Sequence, residues 1–110
     1  MNLINIKVII NNDEDPYSYE GNAKEYKDLI EFNYQNESFI FDKKIKRITK
    51  TGLNNTVIVD FFNKEIIIKS KEKAFNINFI LIKEEITSNR FYYLYKIDNN
   101  EIEFILEKEV

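Results

Sequence analysis

Phe91-Tyr92-Tyr93-Leu94-Tyr95-Lys96-Ile97-Asp98-Asn99-Asn100-Glu101-Ile102-Glu103-Phe104-Ile105-Leu106 carries the plan of the fold. Phe91, Tyr93, Tyr95 and Ile97 recur at every second position, and so do Ile102, Phe104 and Leu106 beyond the polar break. Successive side chains of a strand point to opposite faces, so each run reads as a strand with one apolar face. The break between them, Asp98-Asn99-Asn100-Glu101, is the strongest hairpin signal in the chain. Asn tolerates the positive φ of a type I′ turn.

The same period of two extends outward in both directions. Ile4, Ile6, Val8 and Ile10 share one face, and Asn11 to Pro16 reads as a turn. Tyr17, Tyr19, Gly21 and Ala23 alternate with polar residues, as do Ile30, Phe32 and Tyr34, then Phe39 and Phe41. Ile45 and Ile48 are three apart, which predicts a bend or bulge within a strand over 44–51. Gly52 to Asn55 reads as a turn, Val57, Val59 and Phe61 as a strand, and Asn63-Lys64 as a tight hairpin before Ile66, Ile67 and Ile68. Phe75, Ile77, Phe79 and Leu81 form one further face, with Asn76, Asn78, Ile80 and Ile82 on the other. Residues 84–90 are one of few candidates for a longer connection. A helix capped by Asn22 and running over 23–33 competes with the strand reading there. Phe32 and Tyr34 carry the alternation past its end and favour strand. The expectation is an all-β fold: a small antiparallel meandering β-barrel of eight to ten strands with little helix, in one domain over 1–110.

Composition narrows the chemistry. The chain has no Cys, His or Trp, which excludes Cys/His zinc sites, thiol catalysis, c-type haem attachment and a Ser-His-Asp triad. No cofactor is expected. Ile, Asn and Lys dominate while Gly, Ala, Pro and Arg are scarce, and the expectation from this bias is a bacterial genome of low G+C content. The formal charge of −3 disfavours attraction to nucleic acid or an anionic membrane. The start lacks a basic segment followed by an apolar one, and no apolar run has membrane-spanning length. With no Cys, a cytoplasmic location is the expectation.

Ile4-Asn5-Ile6-Lys7-Val8-Ile9 with an acidic turn after it, Tyr19-Glu20-Gly21, Tyr26-Lys27-Asp28-Leu29-Ile30-Glu31-Phe32-Asn33-Tyr34 and Arg47-Ile48-Thr49-Lys50-Thr51 together resemble the YwiB-like family. Its members are bacterial calycin-type β-barrels of undefined function. The resemblance covers about residues 4–70 and implies a barrel fold; it brings no catalytic residues.

Candidate sites are few. Tyr17, Tyr19, Tyr34, Tyr93 and Tyr95, alongside Tyr92, could line a cavity for an amphipathic ligand, against the plainer reading that inward side chains fill a small barrel. Arg47, on the face of Ile45, would be a buried cation in need of an acidic partner, or would orient the anionic end of a ligand. The calycin resemblance implies instead a basic residue closing one barrel end. Lys43, Lys44, Lys46, Arg47 and Lys50 could follow a phosphate backbone, but alternation splits them between faces, so a solvated edge strand is preferred. Asp13-Glu14-Asp15 could hold a hard cation but lacks the spacing of a calcium loop. Adjacent Glu84 and Glu85 point to opposite faces and make no glycosidase pair. Asp, Glu, Tyr and Lys can all do acid–base work, yet nothing in the sequence arranges them. The reading is therefore a non-catalytic binding module for a small, partly apolar ligand. The alternative is a protein-interaction module working through a sheet edge or aromatic face, with a homodimer as one form of it, and nucleic-acid binding comes last.

Overall fold

A computed structural model describes residues 1–12 and 16–109. Asp13-Glu14-Asp15, the candidate cation loop, lies outside the described residues. The protein is all-β, with no helix among the described residues. Among the described residues eleven strands follow one another: β1 (Asn2–Asn11), β2 (Tyr17–Glu25), β3 (Leu29–Tyr34), β4 (Glu37–Asp42), β5 (Arg47–Thr51), β6 (Asn55–Asp60), β7 (Glu65–Ser70), β8 (Ala74–Asn78), β9 (Ile80–Ile86), β10 (Arg90–Ile97) and β11 (Asn100–Glu109). Strands that follow one another in sequence pair in the sheet, except β8 and β9, which stand at the two ends of the strand order, and β1 pairs with β11; the sheet is an antiparallel meander. The fold class read from the sequence is the one observed. Eleven strands among the described residues exceed the eight to ten expected, because the run read as one strand over 75–82 breaks at Phe79, between β8 and β9. Residues 23–33 form no helix; β2 continues to Glu25 and β3 begins at Leu29.

The chain divides into two units. The first is built on β3 to β8. One row of side chains crosses all six strands in register: Ile30, Phe41, Ile48, Val59, Ile66 and Ile77. A slip of one residue would turn this row to the other face, so the row fixes the register. Phe32 and Phe39 face each other in the next row and stack at 4.8 Å.

The second unit contains the β1–β11–β10–β9 ladder. Val8, Leu106, Phe91 and Ile86 form one row, and Ile10, Phe104, Tyr93 and Glu84 the next. Ile6, Val8, Tyr93, Phe104 and Leu106 are among the most deeply buried side chains. On the other face Arg90 bonds Glu107 at 3.0 Å and lies over the Tyr92 ring, while the Tyr92 hydroxyl donates to Glu103 at 2.6 Å. The acidic end of the sequence is thus a strand whose carboxylates meet donors from β10.

The turns correct the sequence reading in three places. Asp98-Asn99 does form a two-residue loop, since Ile97 pairs with Asn100, but only Asp98 has positive φ (53°). The loop with both residues at positive φ, as type I′ demands, is Gln35-Asn36, at 50° and 63°. Asn63-Lys64 belongs to a four-residue loop, because Asp60 pairs with Glu65. Residues 84–90 are no long connection: β9 runs to Ile86, and the Thr87 N–H donates to the Arg90 carbonyl at 2.8 Å in a tight hairpin.

Candidate functional site

The strand expected over 44–51 starts at Arg47; residues 43–46 are the loop of the β4–β5 hairpin. This loop and the β6–β7 loop are built alike. Each begins at an Asp whose Oδ1 caps the turn. Asp42 accepts from the Lys44 and Ile45 N–H groups at 3.0 and 3.2 Å, and Asp60 from those of Phe62 and Asn63 at 3.1 and 2.9 Å. Each ends at a Lys with positive φ, Lys46 at 58° and Lys64 at 60°. Asp side chains favour such turns because they hydrogen-bond the backbone two and three residues on. The Phe61 N–H donates to the Lys46 carbonyl at 2.9 Å and ties the loops together.

Arg47 is the first residue after the first loop. It sits on the face opposite Ile48, in a cross-strand row that reads Asp42, Arg47, Asp60, Glu65. It is therefore not on an inner face with Ile45, which lies in the loop. The acidic partner that its position called for is present: Arg47 Nη2 donates to Asp60 Oδ2 at 2.8 Å. Burial is distributed the other way round, since the Asp60 side chain is 1% exposed and that of Arg47 is 36% exposed. Asn63 Nδ2 also donates to Asp60 Oδ2, at 2.9 Å. Burial opposes ionisation of Asp60, but the Asn63 backbone N–H, the Arg47 guanidinium and the Asn63 amide outweigh it and hold the carboxyl below its usual value. With both oxygens occupied, Asp60 is a fixed anion rather than a base. Arg47 spends one Nη2–H on Asp60, its Nε–H is buried with no hydrogen-bond partner among the described residues, and the rest of its five-donor guanidinium is left for a ligand.

A hollow of about 300 Å³ opens here, lined by Lys44, Ile45, Arg47, Asp60, Phe62 and Asn63. Phe62 is 72% exposed and Ile45 45% exposed. Adjacent Phe61 and Phe62 explain this: Phe61 is buried, and its neighbour in the loop is left in solvent. The hollow thus combines a guanidinium pinned by a buried carboxylate, a Lys ammonium and two apolar walls. A larger hollow of about 730 Å³ lies among Tyr34, the Gln35-Asn36 turn and Leu53. Its nearby charges, Lys50 and Glu37, pair with each other at 3.4 Å, which leaves no positioned charge to orient a ligand.

The sequence-predicted residues are scattered. Tyr34 and Arg47 lie at opposite ends of the β3–β4–β5 ladder, about 17 Å apart at strand rise. Tyr93 and Tyr95 are buried, Tyr93 near Phe104 and Tyr95 against Phe79 at 4.8 Å between ring centres. Burial pushes the Tyr95 hydroxyl up to about 12 and that of Tyr93 further still. Tyr17 starts β2, half-buried, and the Tyr19 hydroxyl donates to the Asn22 carbonyl at 2.7 Å. The basic stretch is divided: Lys43 pairs with Glu25, Arg47 with Asp60 and Lys50 with Glu37. Asp60, Phe62 and Asn63 were not singled out in the sequence. The signal that could have found them is the repeated Asp-x-x-x-Lys of residues 42–46 and 60–64. Among the described residues, no group of three or more Asp and Glu side chains is placed to hold a metal ion. No family model, no curated protein and no solved structure matches the chain.

Proposed function

We propose that the protein is a non-catalytic binding module that takes a small, partly apolar anion in the Arg47 hollow. The observation that carries this reading is Arg47 itself, held by buried Asp60 beside exposed Phe62 and Ile45. An arginine whose free donors face a carboxylate or phosphate forms strong, directional bonds, and an aromatic wall accepts the apolar remainder. The volume matches the lower end of small-ligand sites. The bacterial, cytoplasmic and calycin-like parts of the proposal rest on amino-acid composition, the lack of Cys and the resemblance over about residues 4–70.

Phenyl phosphate and hexanoate are suitable probes. Titration followed by ¹H–¹⁵N NMR is expected to shift the Arg47 Nε–H resonance together with the amides of residues 44–47 and 62–63. Phe62→Ser removes an exposed ring, so stability should change by less than about 0.5 kcal/mol. Affinity should fall about fivefold to tenfold, as for half-burial of a Phe side chain. Shifts confined to other parts of the chain, or equal affinity in the folded Phe62→Ser variant, would overturn the reading.

A further inference from the structure

We propose that β9 is the edge through which two copies of this chain pair, antiparallel, about a two-fold axis passing through Glu84. β9 ends the strand order and is paired only with β10, in regular register over residues 83–86 and with a shift that skips Ile82. A strand with one covered face shows alternating burial, but in β9 every residue except Leu81 is exposed. Three of these are large and apolar: Ile80 at 67%, Ile82 at 47% and Ile86 at 43% exposed. Such an edge offers a row of backbone donors and acceptors and an apolar surface to an incoming strand.

The charges on β9 choose the occupant. In a symmetric antiparallel pair the two-fold axis passes through one residue pair, so one residue faces its own copy. Centring on Lys83 sets Lys83 against itself and places Ile82 opposite Glu84. Centring on Ile82 places Leu81 opposite Lys83 and Ile80 opposite Glu84. Centring on Glu84 places Lys83 opposite Glu85 twice, within the stretch 83–86 that keeps regular register with β10, with one Glu84 pair as the mismatch there. Lys83 and Glu85 already share a face within one chain, where they bond at 3.1 Å, and Arg90 reaches Glu85 at 3.5 Å. Edge charges ordinarily repel a partner strand. These are complementary to their own copy, which is why the partner is a second copy of this chain. The inference is independent of the Arg47 hollow, to which β9 contributes no residue.

Sedimentation equilibrium of the full chain across the micromolar range tests it. A monomer–dimer equilibrium is expected. Lys83→Glu converts two attractive cross-strand pairs to repulsive ones and should weaken association about tenfold. The double change Lys83→Glu with Glu85→Lys should restore it to within about twofold, and Glu84→Gln should tighten it. A native chain that stays monomeric, a folded Lys83→Glu variant that dimerises as the native chain does, or a folded double variant that fails to recover would each overturn the proposal. Should Lys83→Glu fail to fold, amide exchange of the native chain decides. Protection of residues 82–86 that rises with protein concentration is expected, and concentration-independent exchange refutes the pairing.

Discussion

Asp60→Asn tests the reasoning behind the two-loop structure most directly. The amide keeps one oxygen to accept from the Phe62 and Asn63 backbone N–H groups, so the turn retains its cap. Its NH₂ group replaces Oδ2 and now faces two donors, Arg47 Nη2 and Asn63 Nδ2. Both bonds end on an ionised oxygen, and a bond to a charged group contributes about 1.5–3 kcal/mol. Arg47 is a third exposed and can turn towards water, which keeps the loss below that of a fully buried pair. A destabilisation of about 2 kcal/mol is expected at pH 7, or about 8 °C in melting temperature for a chain of this size. The pH dependence carries the sharper test. The folded Asp60 carboxyl titrates below its unfolded value of about 3.9, so its contribution is complete above that pH and is lost as pH falls through the folded value. The stability gap between native and Asp60→Asn chains should therefore close as the pH drops below about 4. Urea unfolding followed by circular dichroism at a series of pH values measures the gap. Equal midpoints at pH 7, or a gap unchanged in acid, would show that the Asp60–Arg47 bond does not organise these loops.

Two further outcomes follow from single contacts. A Cβ on Gly21 would lie 2.8 Å from the Tyr19 hydroxyl, so Gly21→Ala should swing the ring away and cost about 1 kcal/mol through the lost bond to Asn22. In a Tyr19→Ala background that cost should vanish, and a double-mutant cycle by urea unfolding would expose any failure of the idea. In alkali, Tyr92 and Tyr95 should stay protonated at pH 11, since the bond to Glu103 holds Tyr92 near 12 and burial does the same for Tyr95. Their folded values lie above the unfolded value of about 10, so they stabilise the fold below pH 10 and cease to do so as pH rises towards 12. Site-resolved ¹³Cζ titration would contradict this if either ring ionised near 10.

The fold was legible because packing and periodicity agree. Ile30, Phe41, Ile48, Val59, Ile66 and Ile77 each sit at the apolar phase of an alternating run, and the register lines them up across six strands. Alternation says nothing about where a run breaks. Phe79 keeps the phase of Phe75 and Ile77, so the division between β8 and β9 left no mark on the pattern. Nor does it say which runs are covered. Ile80 and Ile82 fall on the second face of the run, and both are exposed in the structure.

The site was half legible, for a related reason. That Arg47 needs an acid follows from charge alone, and the acid is there. Which acid it is depends on loop length. The spacing of Ile45 and Ile48 looked like a bulge, but a bulge would have kept Arg47 in phase with Ile45 on one face. A four-residue hairpin loop resets the phase, places Arg47 directly opposite Asp60 and lifts Ile45 into solvent. The second loop, with Asp and Lys at the same spacing, then brings Phe62 beside it. Each loop alone is a stable turn with an exposed apolar side chain. Only their adjacency, set by the β5–β6 pairing, joins cation, buried anion and apolar wall in one place. Chemistry that arises from two turns of the same build, brought side by side by a strand register, has no local sequence signature beyond the repeated Asp-x-x-x-Lys itself.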